Sequence, residues 1–203
     1  MKLRSTFVAS LVALATASGI ASAQTTTEPR STTRGLHIGA ALNGSSLELT
    51  DAEAADVGPE SGSGFSLTAG YGFTPQIGLL LTVTGASMKS GEYALGHADV
   101  AGRFSFANPD RAFVPYLELG FAGLGLVLDD ADQTSFSGSG FTGAAGLNFF
   151  LNPNLALDVN FRFTTGEFTS FTSGGETVTS DDGAGANTGR FNVGVSWFPG
   201  GGR

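Results

Sequence analysis

The chain has 203 residues, a formal charge of −8 and no cysteine. The absence of cysteine excludes disulfides as a source of stability. The acidic balance excludes nucleic acid as a natural partner, because that affinity rests on Lys and Arg. The length suits one domain.

The first 23 residues carry Lys2 and Arg4, then an apolar run from Phe7 to Ala17, then the small residues Ala21-Ser22-Ala23. This is the three-part layout of a secretory signal peptide, too short to span a membrane as a helix. Cleavage after Ala23 takes the formal charge from −8 to −10, since two bases and no acids are lost. Residues 24–34 then form a short lead. Nothing later approaches the roughly 20 consecutive apolar residues of a spanning helix. A membrane protein without such a helix has to be a closed barrel, which satisfies every backbone group in lipid.

From Gly35 onward, segments of about ten residues alternate large apolar with small or polar side chains, the period of a strand. Strands are expected at about 35–44, 63–73, 77–87, 93–106, 113–126, 138–150, 155–165 and 187–198. In the second, Phe65, Leu67, Ala69, Tyr71 and Phe73 oppose Ser66, Thr68, Gly70 and Gly72. In the seventh, Leu155, Leu157, Val159, Phe161 and Phe163 oppose Ala156, Asp158, Asn160 and Arg162. In the last, Phe191, Val193, Val195 and Trp197 oppose Arg190, Asn192, Gly194 and Ser196.

Short connections alternate with long ones. The short ones are Thr74-Pro75-Gln76, Asn108-Pro109-Asp110 and Asn152-Pro153-Asn154, where proline beside Thr, Asn or Asp makes good turn chemistry. The long, polar ones cover about 44–62, 88–92, 127–137 and 166–186. The expected fold is all-β: an eight-stranded antiparallel up-and-down transmembrane β-barrel over residues 35–198, with a tail at 199–203. Its termini and short turns would face the periplasm. Phe73, Phe104, Phe106, Phe113, Phe149, Trp197 and Phe198 lie beside the short turns, and Phe65, Phe121, Phe141 and Phe163 towards the long connections. Two aromatic girdles at the lipid–water interfaces would place them there.

A soluble barrel with an apolar lumen would strand Asp99, Arg103, Glu118, Asp158, Arg162 and Arg190 outside, and crowd Phe, Trp and Leu into a lumen already full. The reverse arrangement puts the bulky apolar residues on lipid. The inward charges then balance, Asp99, Glu118 and Asp158 against Arg103, Arg162 and Arg190, with His37 and His97 nearby. Buried ions must be paired or hydrated, so a polar core of salt bridges and water is expected. Arg103 and Glu118 flank one short turn and should sit nearly opposite. Asp158, Arg162 and Arg190 fall at similar heights on the last hairpin. Inward small residues, including Gly39, Gly70, Gly72, Gly78, Gly120 and Gly146, would leave room for water.

The last strand, Gly189-Arg-Phe-Asn-Val-Gly-Val-Ser-Trp-Phe198, resembles the C-terminal signature of outer-membrane β-barrel proteins. That resemblance implies an assembly signal made of Phe191, Gly194, Trp197 and Phe198, read by the barrel assembly machinery. His97-Ala-Asp-Val-Ala-Gly-Arg-Phe-Ser-Phe106 and Phe113-Val-Pro-Tyr-Leu-Glu-Leu-Gly120 are similar to the middle hairpin of small OmpA/OmpX-like barrels. Pro199-Gly-Gly-Gly-Arg203 departs from the pattern by following the terminal aromatic. No peptidoglycan-binding domain follows the barrel, so periplasmic tethering is not implied.

Thirteen acids, among them Glu48, Asp51, Glu60, Glu92, Glu167, Glu176 and Asp182, fall in the long connections, against Lys89 as the only base. They read as a solvated, repulsive surface. The densest group, Asp129, Asp130 and Asp132, is a weak candidate for Ca²⁺ or Mg²⁺ capture, but it lacks the glycine and the spaced acids of a calcium loop, so no metal site is assigned. With only His37 and His97, and no serine or threonine set beside them by a motif, no nucleophilic constellation is legible. No cofactor is expected. The reading is a monomeric structural or surface-interaction protein of the outer membrane, in contact with outer-membrane lipid and lipopolysaccharide. A narrow or gated channel is the alternative, and a lipid-modifying enzyme comes third.

Overall fold

The computed structural model describes residues 33–50, 59–88, 91–108, 111–128 and 134–199. The expected signal peptide, the tail beyond Pro199, and Asp129, Asp130 and Asp132 lie outside the described residues.

Eight strands run in chain order: β1 Gly35–Leu49, β2 Glu60–Gly72, β3 Ile77–Met88, β4 Tyr93–Ser105, β5 Phe113–Leu128, β6 Ser135–Asn152, β7 Leu155–Ser173 and β8 Glu176–Trp197. Each pairs antiparallel with its sequence neighbours, and β1 closes on β8 through the register Ile38 opposite Trp197 to Leu49 opposite Ala186. Closure leaves no sheet edge along the paired length.

Two short turns are fixed by their own side chains. Thr74 Oγ1 accepts from the backbone N–H of Gln76 and Ile77 at 3.2 and 3.0 Å. Asn152 Oδ1 accepts from Asn154 and Leu155 at 2.9 and 3.0 Å. These local bonds compete well with further strand pairing, so the chain reverses there.

The strands are longer than their apolar alternation suggests. The expected connection at 166–186 is largely strand: Phe171 faces Val178 and Ser173 faces Glu176. The reversal sits at Gly174-Gly175, both with positive φ, 59° and 85°. Threonines and phenylalanines across 168–179 have strong strand preference, and a polar composition had concealed it. β1 likewise continues to Leu49 and β6 begins at Ser135.

The period of two sorts the side chains into two shells. Outside stands a belt of exposed apolar residues, including Leu42 at 75% and Leu119 at 76% exposure, with Phe65, Phe73, Phe104, Phe113, Phe121, Phe141, Phe149, Phe163 and Trp197. Phe198 is the exception to the expected girdle. It is 2% exposed and turns into the lumen, because it is one residue out of phase with Trp197.

Inside, the expected all-polar filling holds only at mid-height. At the short-turn end Val114, Phe150, Ala156 and Phe198 form an apolar cluster. At the opposite end Leu47, Met88, Tyr93, Leu95, Leu124 and Phe168 form a larger one. β5 shows how this second cluster arises. Leu117, Leu119 and Phe121 point out, but Leu124 points in, with no register shift along the strand. The odd spacing from Phe121 to Leu124 moves the large residues from the outer face to the inner one.

Candidate functional site

The mid-lumen is the densest collection of chemistry among the described residues. Asp99 and Arg103 come from β4, Tyr116 and Glu118 from β5, Asp158, Asn160, Arg162 and Thr164 from β7, and Arg190 and Asn192 from β8. All the ionised groups among them are buried.

Arg103 and Glu118 are register partners. Arg103 Nε donates to Glu118 Oε1 at 2.7 Å and its Nη2 lies 2.6 Å from the same oxygen. The guanidinium also lies 3.8 Å above the Tyr116 ring, a cation–π contact. The second Glu118 oxygen accepts from Arg162 Nη2. Arg162 Nη1 lies 3.8 Å from Asp99 Oδ2. Asp99 in turn takes both arms of Arg190, at 2.7 and 3.1 Å, in the planar fork that makes arginine–carboxylate pairs strong. One continuous chain of ion pairs, Arg103–Glu118–Arg162–Asp99–Arg190, therefore crosses the lumen. β4 and β8 stand four strands apart in a ring of eight, so its last link spans the barrel.

Asp158 is held differently. It lies across from Gly194, not Arg190, and meets neither Arg162 nor Arg190 in an ion pair. Its carboxylate accepts from the Tyr116 hydroxyl at 2.9 Å to each oxygen, and from Asn160 Nδ2 at 2.7 Å. Tyr116 and Thr164, which takes Arg190 Nη2 at 2.7 Å, escaped the sequence reading, and Asn160 was placed on the inward face without a role. All three share an inward face with a charged residue two positions away, and that spacing was the available sign.

Each histidine meets a hydroxyl. His37 Nε2 lies 3.0 Å from Ser196 Oγ, and His97 Nε2 lies 3.0 Å from Thr188 Oγ1. Among the described residues His97 Nδ1 has no hydrogen-bond partner, so none of their carboxylates orients that ring as a general base. His37 stacks on Phe198, with centroids 4.6 Å apart and planes 9° from parallel.

Space in this layer is scarce. The cavity between Arg103, Asp158, Arg162 and Asn192 measures about 30 Å³, room for roughly one or two water molecules. The inward glycines do not open a path. A side chain at Gly146 would meet the Tyr116 ring at 2.4 Å, and one at Gly70 would meet Leu80 Cδ2 at 2.3 Å. Their missing side chains make room for neighbouring ones, not for the water expected from the sequence. No cluster of three metal-ligating side chains occurs among the described residues.

An apolar belt outside, a closed hydrogen-bonded wall and an ion-paired interior are the features of a barrel whose solvent is lipid. The sequence matches the outer membrane protein β-barrel domain family over residues 9–197. The chain belongs to that family. No curated relative matches its sequence.

This outer-membrane barrel also matches solved structures of other small barrels. Neisserial surface protein A is similar at 15% identity and a TM-score of 0.62, over 80% of this chain and 96% of that one. The outer membrane protein OprG of Pseudomonas aeruginosa follows at 14% identity and 0.55, over 84% and 98%. Ail, the attachment invasion locus protein of Yersinia pestis, matches at 17% identity and 0.52, over 81% and 98%. At such identities the likeness establishes the fold, and choice of partner has to come from this barrel's own residues.

Proposed function

We propose that this outer-membrane barrel is a non-conducting, non-catalytic membrane anchor that holds its long acidic connections at the cell surface, with its termini and short turns in the periplasm. Its role is envelope structure or surface contact. One observation carries the reading: the ion-pair chain from Arg103 to Arg190 fills the mid-lumen and leaves about 30 Å³ beside it. A hydrated ion needs a continuous aqueous path, and eight strands leave little width for one. The apolar cluster around Phe198 adds a second closure at the short-turn end. Among the described residues no carboxylate is hydrogen-bonded to the histidine of either histidine–hydroxyl pair, His37–Ser196 or His97–Thr188, which supports a non-catalytic role.

The partners consistent with this role are outer-membrane lipid and lipopolysaccharide around the belt, and the assembly machinery during insertion. The barrel closes on itself, which supports a monomer.

The test is single-channel recording of the refolded chain in a planar bilayer, after a gel of boiled and unboiled samples has shown a compact barrel. The expected record is silent. Discrete openings that change with Asp99→Asn or Arg162→Gln would turn the same network into a gate and favour the channel reading.

A further inference from the structure

Above the ion-paired layer, on the side of the long connections, the lumen changes character. Leu47, Leu49, Leu126, Leu128, Phe136 and Phe168 all turn inward there and line a cavity of about 270 Å³. It is about nine times larger than the polar cavity below it. Its walls are almost wholly hydrocarbon. The one polar feature is a pair on its side, where the Tyr93 hydroxyl donates to the Glu60 carboxylate.

The cavity is blind. One inward step below Leu95 and Ala186, the His97–Thr188 contact crosses the lumen, and one step further Asp99 grips Arg190. Whatever enters from the long-connection side stops on that polar floor.

An apolar hollow of this size forfeits contacts on every wall, and an apolar guest restores them. A hollow of ~150 Å³ takes up benzene, so one of about 270 Å³ suits roughly ten carbon atoms.

The geometry points to this cup as a binding site for a single hydrocarbon chain of medium length. The site is separate from the ion-paired layer and independent of whether the barrel conducts. Two sources supply that chemistry: a free alcohol-like amphiphile, or one acyl chain of a neighbouring lipid folded into the cup.

The experiment is methyl nuclear magnetic resonance on the refolded chain in lipid nanodiscs, with labelled leucine, titrated with octanol. Saturable shifts are expected at Leu47, Leu126 and Leu128, while outward Leu42 and Leu119 drift linearly as octanol partitions into lipid. Leu126→Trp fills the cup and should abolish saturation. Ala184→Leu is the milder filling variant should the first fail to give a heat-modifiable barrel. Contacts from the cup methyls to lipid acyl protons before any octanol is added would identify the lipid as the natural source. Absence of both saturable shifts and acyl contacts overturns the proposal, as does saturation that survives both filling variants.

Discussion

Arg162 and Arg190 are direct register partners on β7 and β8, and both are buried in the same lumen. Like charges directly opposite on neighbouring strands destabilise a sheet. They coexist here because Asp99, from the far wall, binds Arg190 at 2.7 Å and lies 3.8 Å from Arg162.

Asp99→Ala should therefore be among the most damaging substitutions in the barrel. It leaves Arg190 buried without a carboxylate and beside a like charge, a loss of about 3–5 kcal/mol. Urea unfolding from lipid vesicles, followed by the fluorescence of the single tryptophan Trp197, measures it. Adding Arg190→Met to Asp99→Ala should restore most of the loss, because the stranded charge goes with it. A double variant as unstable as the single one would remove the like-charge argument.

Glu118 and Asp158 should not be equivalent. Glu118 binds two arginines, while Asp158 accepts hydrogen bonds from Tyr116 and Asn160. An asparagine oxygen at 158 can still accept from the tyrosine. Glu118→Gln should cost about 3 kcal/mol or more, and Asp158→Asn only about 1 kcal/mol. The same unfolding assay ranks them, and equal losses would contradict the assignment.

Phe198 and Phe191 separate packing from assembly. Phe198 packs on His37 and Phe150 inside the barrel, with ring centroids 4.6 and 5.3 Å away, whereas Phe191 is half exposed on the outer face. Phe198→Ala should lower the stability of the refolded barrel by about 3 kcal/mol. Phe191→Ala should cost clearly less in vitro, since it opens no cavity. If both act only through an assembly signal, they will slow insertion in cells and leave refolded stability alike.

Gly146 and Gly44 give a matched pair of backbone probes. A methyl at Gly146 collides with Tyr116 and Asn160, while the space beside Gly44 is open. Gly146→Val should destabilise by about 1–3 kcal/mol or prevent folding. Gly44→Ala should stay within about 0.5 kcal/mol of the parent. Thermal shift on gels resolves the two.

The strand period, strand count and the side facing lipid were legible because Phe65 through Phe73, or Leu155 through Phe163, repeat one physical rule without interruption. The pairing of Arg103 with Glu118 was legible too, since a short turn fixes which residues stand opposite. Contacts across the lumen were not. Nothing local tells Asp99 on β4 to meet Arg190 on β8, because that choice depends on barrel closure and on the depth of each residue. The apolar cup was hidden for another reason. Gly123-Leu124-Gly125-Leu126 reads as the same alternation as Leu117-Glu118-Leu119, and only the odd step between the two runs reverses which face is large.

That reversal also sets the thickness of membrane this protein accepts. On β5 the unbroken outer run of bulky residues extends from Phe113 to Phe121, and Gly123 and Gly125 then leave a gap in the wall before Val127. Eight steps of a tilted strand give that run a height of ~20 Å. A bilayer much thicker than this would have to thin around the barrel, at a cost that grows with each ångström of mismatch. The same few leucines and glycines that hollow out the cup thus match the protein to a thin membrane, such as the outer membrane of bacteria.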